Sequence, residues 1–201
     1  TLWDGIIGED YSDEKKILKL TKKNINFLNF QSFLKKIKNQ GILLGLCSKN
    51  NNLDVKNFFK INKKIFKINY DDFIIKRINW KNKAKNLIDI SIKLNIGLES
   101  FIFVDDSDYE ISLISDALPQ VLTFKMPNNI KNIFDFSTKL EKKLNLLEIT
   151  KEDKNKTQMY KDENQRTKLL NKSFNLNQYL RSLNFNLTIY KNNKKQITKL
   201  F

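Results

Sequence analysis

The stretch FIFVDDSDYE, residues 101–110, decides how this sequence is read. Phe101, Ile102, Phe103 and Val104 form a run too apolar for an exposed sheet face, so it is expected to be a buried strand. The run ends in two adjacent carboxylates, Asp105 and Asp106. One carboxylate at that place would be an ordinary cap for a following helix. Two repel each other unless a positive group sits with them, so the rest of the chain is read for that group.

Composition narrows the chemistry. The 201 residues suffice for one domain with a sizeable core plus an appendage. No apolar run is long enough to cross a membrane, and no signal peptide opens the chain, so a cytoplasmic setting is expected. TLWDGIIGED begins without Met and in mid-pattern, which suggests a fragment. The single Cys47 excludes a disulfide framework. The absence of histidine removes Ser-His-Asp and Cys-His machinery and, with one cysteine, leaves no zinc site. A metal here would be a hard cation on oxygen ligands, such as magnesium.

A formal charge of +15 invites a nucleic-acid reading. The lysines are scattered, however, and Arg, the usual base reader, is scarce. Abundant Lys, Asn, Ile and Phe with few Gly and Pro also fit an A+T-rich coding bias. No specific nucleic-acid partner is expected; an anionic small molecule is.

Strand and helix patterns alternate along the first 148 residues. NFQSFLKKIKNQG places Phe30, Phe33, Leu34 and Ile37 on one helical stripe, with Gly41 as its stop. ILLGLC (42–47) reads as a buried strand running into the polar turn SKNNN. Asn52 is expected to cap a short helix holding Val55, Phe58 and Phe59. A helix over 82–95 carries Leu87, Ile90, Ser91 and Leu94 inward and ends at Gly97. Strand 101–104 follows, then a helix near 108–116, a strand QVLTF beyond Pro119, and a helix near 129–145. This alternation predicts a parallel sheet sandwiched by helices, with ligands at the carboxyl ends of its strands. Residues 149–201 read as a more basic extension, helix-like at first and reaching a strand-like FNLTIY near its end.

Ser48 and the Asp105–Asp106 pair both fall at carboxyl ends of strands and can converge. Ser48 offers a hydroxyl in a turn of free backbone N–H groups, which suits a phosphate oxygen. Lys83, at the start of a helix, could neutralise a transferring phosphoryl group. A divalent cation held by Asp105 and Asp106 would remove their repulsion and clamp the same phosphate. Taken alone, each residue has a plainer reading: a helix cap, a turn serine, one exposed lysine among Lys81, Lys83 and Lys85.

In order and wording the chain resembles the haloacid-dehalogenase (HAD) superfamily of phosphotransferases, and within it the FkbH-like branch, subfamily IIIC. TLWDGIIGED, GILLGLCSKNN, INWKNKAKNL, LNIGLESFIFVDDSDYE and TKEDKNKTQMYKDENQR carry the resemblance. It implies a Rossmann-like α/β fold and Mg2+ dependence. Ser48 becomes the phosphate-binding residue, Lys83 the charge-stabilising lysine that also binds phosphate, and Asp105 a catalytic metal ligand with Asp106 beside it. Thr1 aligns with the last residue of the first motif, whose two aspartates, nucleophile and acid/base, would precede it. The chain by itself is then expected to be inactive and to lack the first strand. The resemblance further implies transfer of a glyceryl unit from a bisphosphorylated glycerate, a phosphorylated small molecule, to an acyl-carrier protein, in polyketide or surface-polysaccharide assembly. An acetyltransferase-like domain often follows in that branch, and FNLTIY could open it. Alternatives are a small-molecule phosphatase and a non-catalytic interaction domain of the same fold. Cys47 reads as a small buried residue and Lys151, Lys154 and Lys156 as a solvated face. Trp3 and Trp80 fit either the core or the site mouth.

Overall fold

The structure, a computed structural model, describes residues 1–7, 10–11, 19, 21–127, 132–144, 158–160, 162–163 and 165–167. The chain divides into two compact units, Thr1–Tyr160 and Lys161–Phe201, and the first holds every element described below. Its helices are α1 (Lys22–Asn39), α2 (Asn52–Ile61), α3 (Lys83–Leu94), α4 (Asp108–Ala117) and α5 (Ile133–Lys143). Its strands are β1 (Leu44–Ser48), β2 (Phe73–Ile78), β3 (Ile102–Asp105) and β4 (Leu122–Lys125).

The strands form two parallel ladders. β1 pairs with β2, so that Ser48 lies beside Ile78, and β3 pairs with β4, so that Asp105 lies beside Lys125. Parallel strands alternating with helices give the expected Rossmann-like α/β arrangement, here as two separate two-stranded ladders. Helices cover the ladders on two sides because alternate strand residues face two separate cores. Ile102 and Val104 of β3 pack against the core made with α1, α2 and α5, which includes Phe30, Phe58 and Phe136. Phe103 enters the other core, with Leu87 and Ile90 of α3 and Ile114 of α4.

β2 has no counterpart in the sequence reading. Lys76 and Arg77 interrupt its apolar pattern, and two compensations make a strand possible. The Lys76 ammonium lies 4.5 Å from the centre of the Tyr70 ring, and the Arg77 guanidinium pairs with Asp89 of α3. Helix ends also shift. Asn51, rather than Asn52, caps α2: its side chain accepts from the Leu53 N–H at 2.9 Å. α3 stops at Asn95, which is left-handed at φ 52°, before Gly97 is reached. Gly41 does adopt φ 92° just past α1, a conformation that favours glycine. Most of the extension over 149–201, and all of FNLTIY, lie outside the described residues. Within them, residues 158–160 are helical and Tyr160 packs on the α3–α4 core.

One charge cluster ties α1 to the turn before β2. The buried Asp72 carboxylate takes Lys35 at 2.7 Å, Lys38 at 3.0 Å and the Asn69 N–H at 2.8 Å. Burial opposes ionisation of Asp72, but the two lysines and the amide outweigh it and hold its pKa below the ordinary carboxylate value. A depressed folded-state pKa means that the unfolded chain binds the proton more readily. The stabilisation is therefore complete above the unfolded value near ~4 and is lost as pH falls through the folded one. Asp72→Asn should lower unfolding free energy by about 1–3 kcal/mol at pH 7, with both lysines part-exposed and screened. Urea titrations at several pH values check this: the gap between variant and parent should narrow toward pH ~3.

Candidate functional site

The carboxyl ends of the strands converge on one face, where the loops after β1, β2 and β3 meet. Thr1, Leu46, Ser48, Lys83, Val104, Asp105 and Asp106 are among the residues that line a cavity of about 1040 Å³, which runs along β1 and β3 from Gly41 and Ser100 to Ser48 and Asp106. β1 and β3 are not bonded to each other, yet both border this cavity.

The two adjacent carboxylates are handled in different ways. Asp105 is buried, and its Oδ2 accepts from the Lys83 ammonium at 2.6 Å while Oδ1 accepts from the Ser107 N–H at 3.0 Å. Asp106 is 63% exposed, and its Oδ1 accepts from the Thr1 hydroxyl at 2.6 Å. Neither carboxylate caps α4. Ser107 does so, accepting from the Glu110 N–H at 3.4 Å, which leaves both aspartates in front of the helix. The positive group that the sequence calls for is Lys83, and it sits on Asp105 alone.

Local structure explains why Lys83 reaches inward. Asn82 caps α3 by accepting from the Ala84 N–H at 2.7 Å, which makes Lys83 the first helical residue. Successive helical residues turn about 100°, and Lys83 is buried with Ala84 and Leu87 while Lys81 and Lys85 are exposed. Ser48, half-buried at the end of β1, is tied to the next loop by its carbonyl, which accepts from the Asn79 N–H at 3.0 Å.

Sequence reasoning overlooked the asparagines that hold this loop. The Asn79 and Asn86 amides bond reciprocally at 3.0 and 3.3 Å, and Asn79 also accepts from the Lys81 N–H at 3.0 Å. Asn86 is buried, and an asparagine among the apolar positions of α3 was the available signal. Cys47 is half-buried rather than sealed in the core. Burial pushes its thiol up to about 11, although the Lys83 charge and a hydrogen bond with Asn86 pull the other way. The thiol therefore stays neutral near pH 7, which disfavours it as an acyl nucleophile. Trp3 belongs to the core, stacked on Phe66 at 5.6 Å, whereas Trp80 is 76% exposed.

Among the described residues no three acidic, thiol or imidazole groups converge as a full protein cage for a metal. Asp105 and Asp106 nonetheless fit a magnesium site, because that ion keeps several waters and takes only one or two carboxylates plus phosphate oxygens. Each ionised carboxylate has about four acceptor positions, so the present hydrogen bonds leave room for a cation.

Neither a protein-family profile nor a curated protein matches the chain. A solved structure does: the N-terminal part of the protein BF1531 from Bacteroides fragilis, containing a phosphatase domain complexed with Mg. The two share 32% sequence identity with a TM-score of 0.64. The chain is similar to a phosphatase domain. The match covers 74% of this chain and 38% of that one, so this chain spans well under half of the relative's length. The likeness supports the HAD superfamily, and it does not reach the FkbH-like subdivision.

Proposed function

We propose that this protein is a Mg2+-dependent HAD-type phosphatase or phosphotransferase acting on a phosphorylated small molecule. The observation that carries the reading is the buried Lys83–Asp105 pair, 2.6 Å apart, lining the same cavity as Ser48 and Asp106. The likeness to a phosphatase domain complexed with Mg supports it.

In this reading Ser48 and the amides of its turn bind phosphoryl oxygens. Lys83 balances the charge that builds on the phosphoryl group, and burial makes its ammonium more effective than it would be in water. Asp105 fixes the direction of that ammonium and, with Asp106, would hold magnesium, which supplies Lewis-acid stabilisation of the phosphate. Turnover is to be measured on protein expressed from its complete reading frame.

The finer reading, FkbH-like glyceryl transfer to an acyl-carrier protein, rests on the wording CSKNN, NW and VDDS. The scattered lysines argue for an anionic substrate over specific nucleic-acid binding. Among the described residues, no helix is long and apolar enough to cross a membrane.

Hydrolysis of p-nitrophenyl phosphate tests the proposal. Excess EDTA should lower turnover by about 100-fold or more, and added Mg2+ should restore it. Absence of hydrolysis in Mg2+, or hydrolysis indifferent to EDTA, rejects it.

A further inference from the structure

A second cation stands next to the phosphate site. Lys49 follows Ser48 directly and lines the same cavity. Its ammonium lies 2.7 Å from Oε1 of Glu110, on the first turn of α4, and 5.7 Å from the centre of the exposed Tyr109 ring. The pair is unequal. The Glu110 side chain is only 6% exposed, whereas that of Lys49 is 35% exposed. The other Glu110 oxygen, Oε2, is buried with no hydrogen-bond partner.

A buried carboxylate satisfied on one side only holds its single cation tightly, since losing that cation would leave an uncompensated charge in the protein. Glu110 thereby fixes a long, flexible side chain that would otherwise sample many rotamers. An ammonium has three donors, and the half-open position of Lys49 leaves it able to meet a further anion. Lys83, by contrast, is buried against Asp105 deeper in the site. The site thus carries two cations with different surroundings, one inside and one at its rim.

We propose that Lys49 is a specificity-determining residue, seated by Glu110, that binds a second anionic group of the substrate. The preferred substrates then carry a carboxylate in addition to the phosphoryl group transferred. This inference rests on the phosphoryl-transfer reading. Glu110 acts as a positioning residue, and Lys49 touches the substrate.

The test compares 2-phosphoglycolate, which has a phosphoryl group and a carboxylate, with its carboxyl methyl ester, which keeps the phosphoryl group but lacks the carboxylate charge, on protein from the complete reading frame with Mg2+. The parent should prefer the free acid in kcat/KM. Lys49→Met should reduce that preference about tenfold, mainly through KM, as expected for losing one charge-assisted contact. Lys49→Arg should retain most of it. Because Lys49→Met strands the Glu110 charge, the double variant Lys49→Met/Glu110→Met, which removes both, should show the same reduced preference in a stable protein. Glu110→Gln should raise KM for the free acid while Lys49 remains. A preference unchanged in both methionine variants overturns the inference and leaves the phosphoryl reading intact. A parent that hydrolyses p-nitrophenyl phosphate but neither of these two substrates overturns the inference and leaves the phosphoryl reading standing; a parent that hydrolyses none of the three loses both.

Discussion

Lys83→Met is expected to lower phosphomonoester turnover by about 100-fold or more, the scale for losing a preorganised charge stabiliser. Lys81→Met and Lys85→Met should stay within a few-fold of the parent, because both lysines are exposed. The contrast follows from burial and aim: only Lys83 is enclosed and 2.6 Å from Asp105. The same substitution should also cost about 3–5 kcal/mol of stability, since it leaves a buried carboxylate without its cation. Turnover of p-nitrophenyl phosphate and urea unfolding, run side by side on the three variants, separate the two effects. Turnover is compared under conditions where circular dichroism shows every variant folded. Full turnover in folded Lys83→Met would sink the assignment of this lysine, and sensitivity at Lys81 or Lys85 would show that the motif is misaligned.

Asp105→Asn should raise the Mg2+ concentration needed for half-maximal turnover by about 100-fold and depress the maximal rate as well. An amide removes one anionic ligand and, at the same time, the counter-charge of Lys83. Asp106→Asn should weaken the Mg2+ response too, but with little loss of stability, because that side chain is 63% exposed. Magnesium titrations of turnover, with thermal unfolding in EDTA as the control, distinguish the two positions. An unchanged Mg2+ response in Asp105→Asn would remove the metal site from the proposal.

Much of the fold was legible because its signals are local. Phe30, Phe33 and Ile37 recur at helical spacing, and all three are buried on α1. The apolar run 101–104 ending in acid marked β3 and its carboxyl end, and Pro119 marked the approach to β4. β2 was illegible for a physical reason. Its central Lys76 and Arg77 are acceptable only because Tyr70 and Asp89 lie beside them in space. Residue-by-residue patterns carry no information about such partners.

The candidate site divides in the same way. Residue types and order determined by themselves that the chain lacks histidine chemistry. They also put Ser48 and the Asp105–Asp106 pair at the carboxyl ends of strands, where ligands bind, and Lys83, beside Lys81 and Lys85, at the start of a helix. Which lysine points inward, which aspartate is sealed and which is open, and that Ser107 rather than an aspartate caps α4 were decided only by the tertiary structure. So was the seating of Lys49, in the turn after β1, on Glu110 of α4, two residues that share no local pattern. Periodicity reports the face that a residue occupies on its own helix or strand. The charge partner that it meets depends on how those elements pack, and packing brings together groups far apart along the chain.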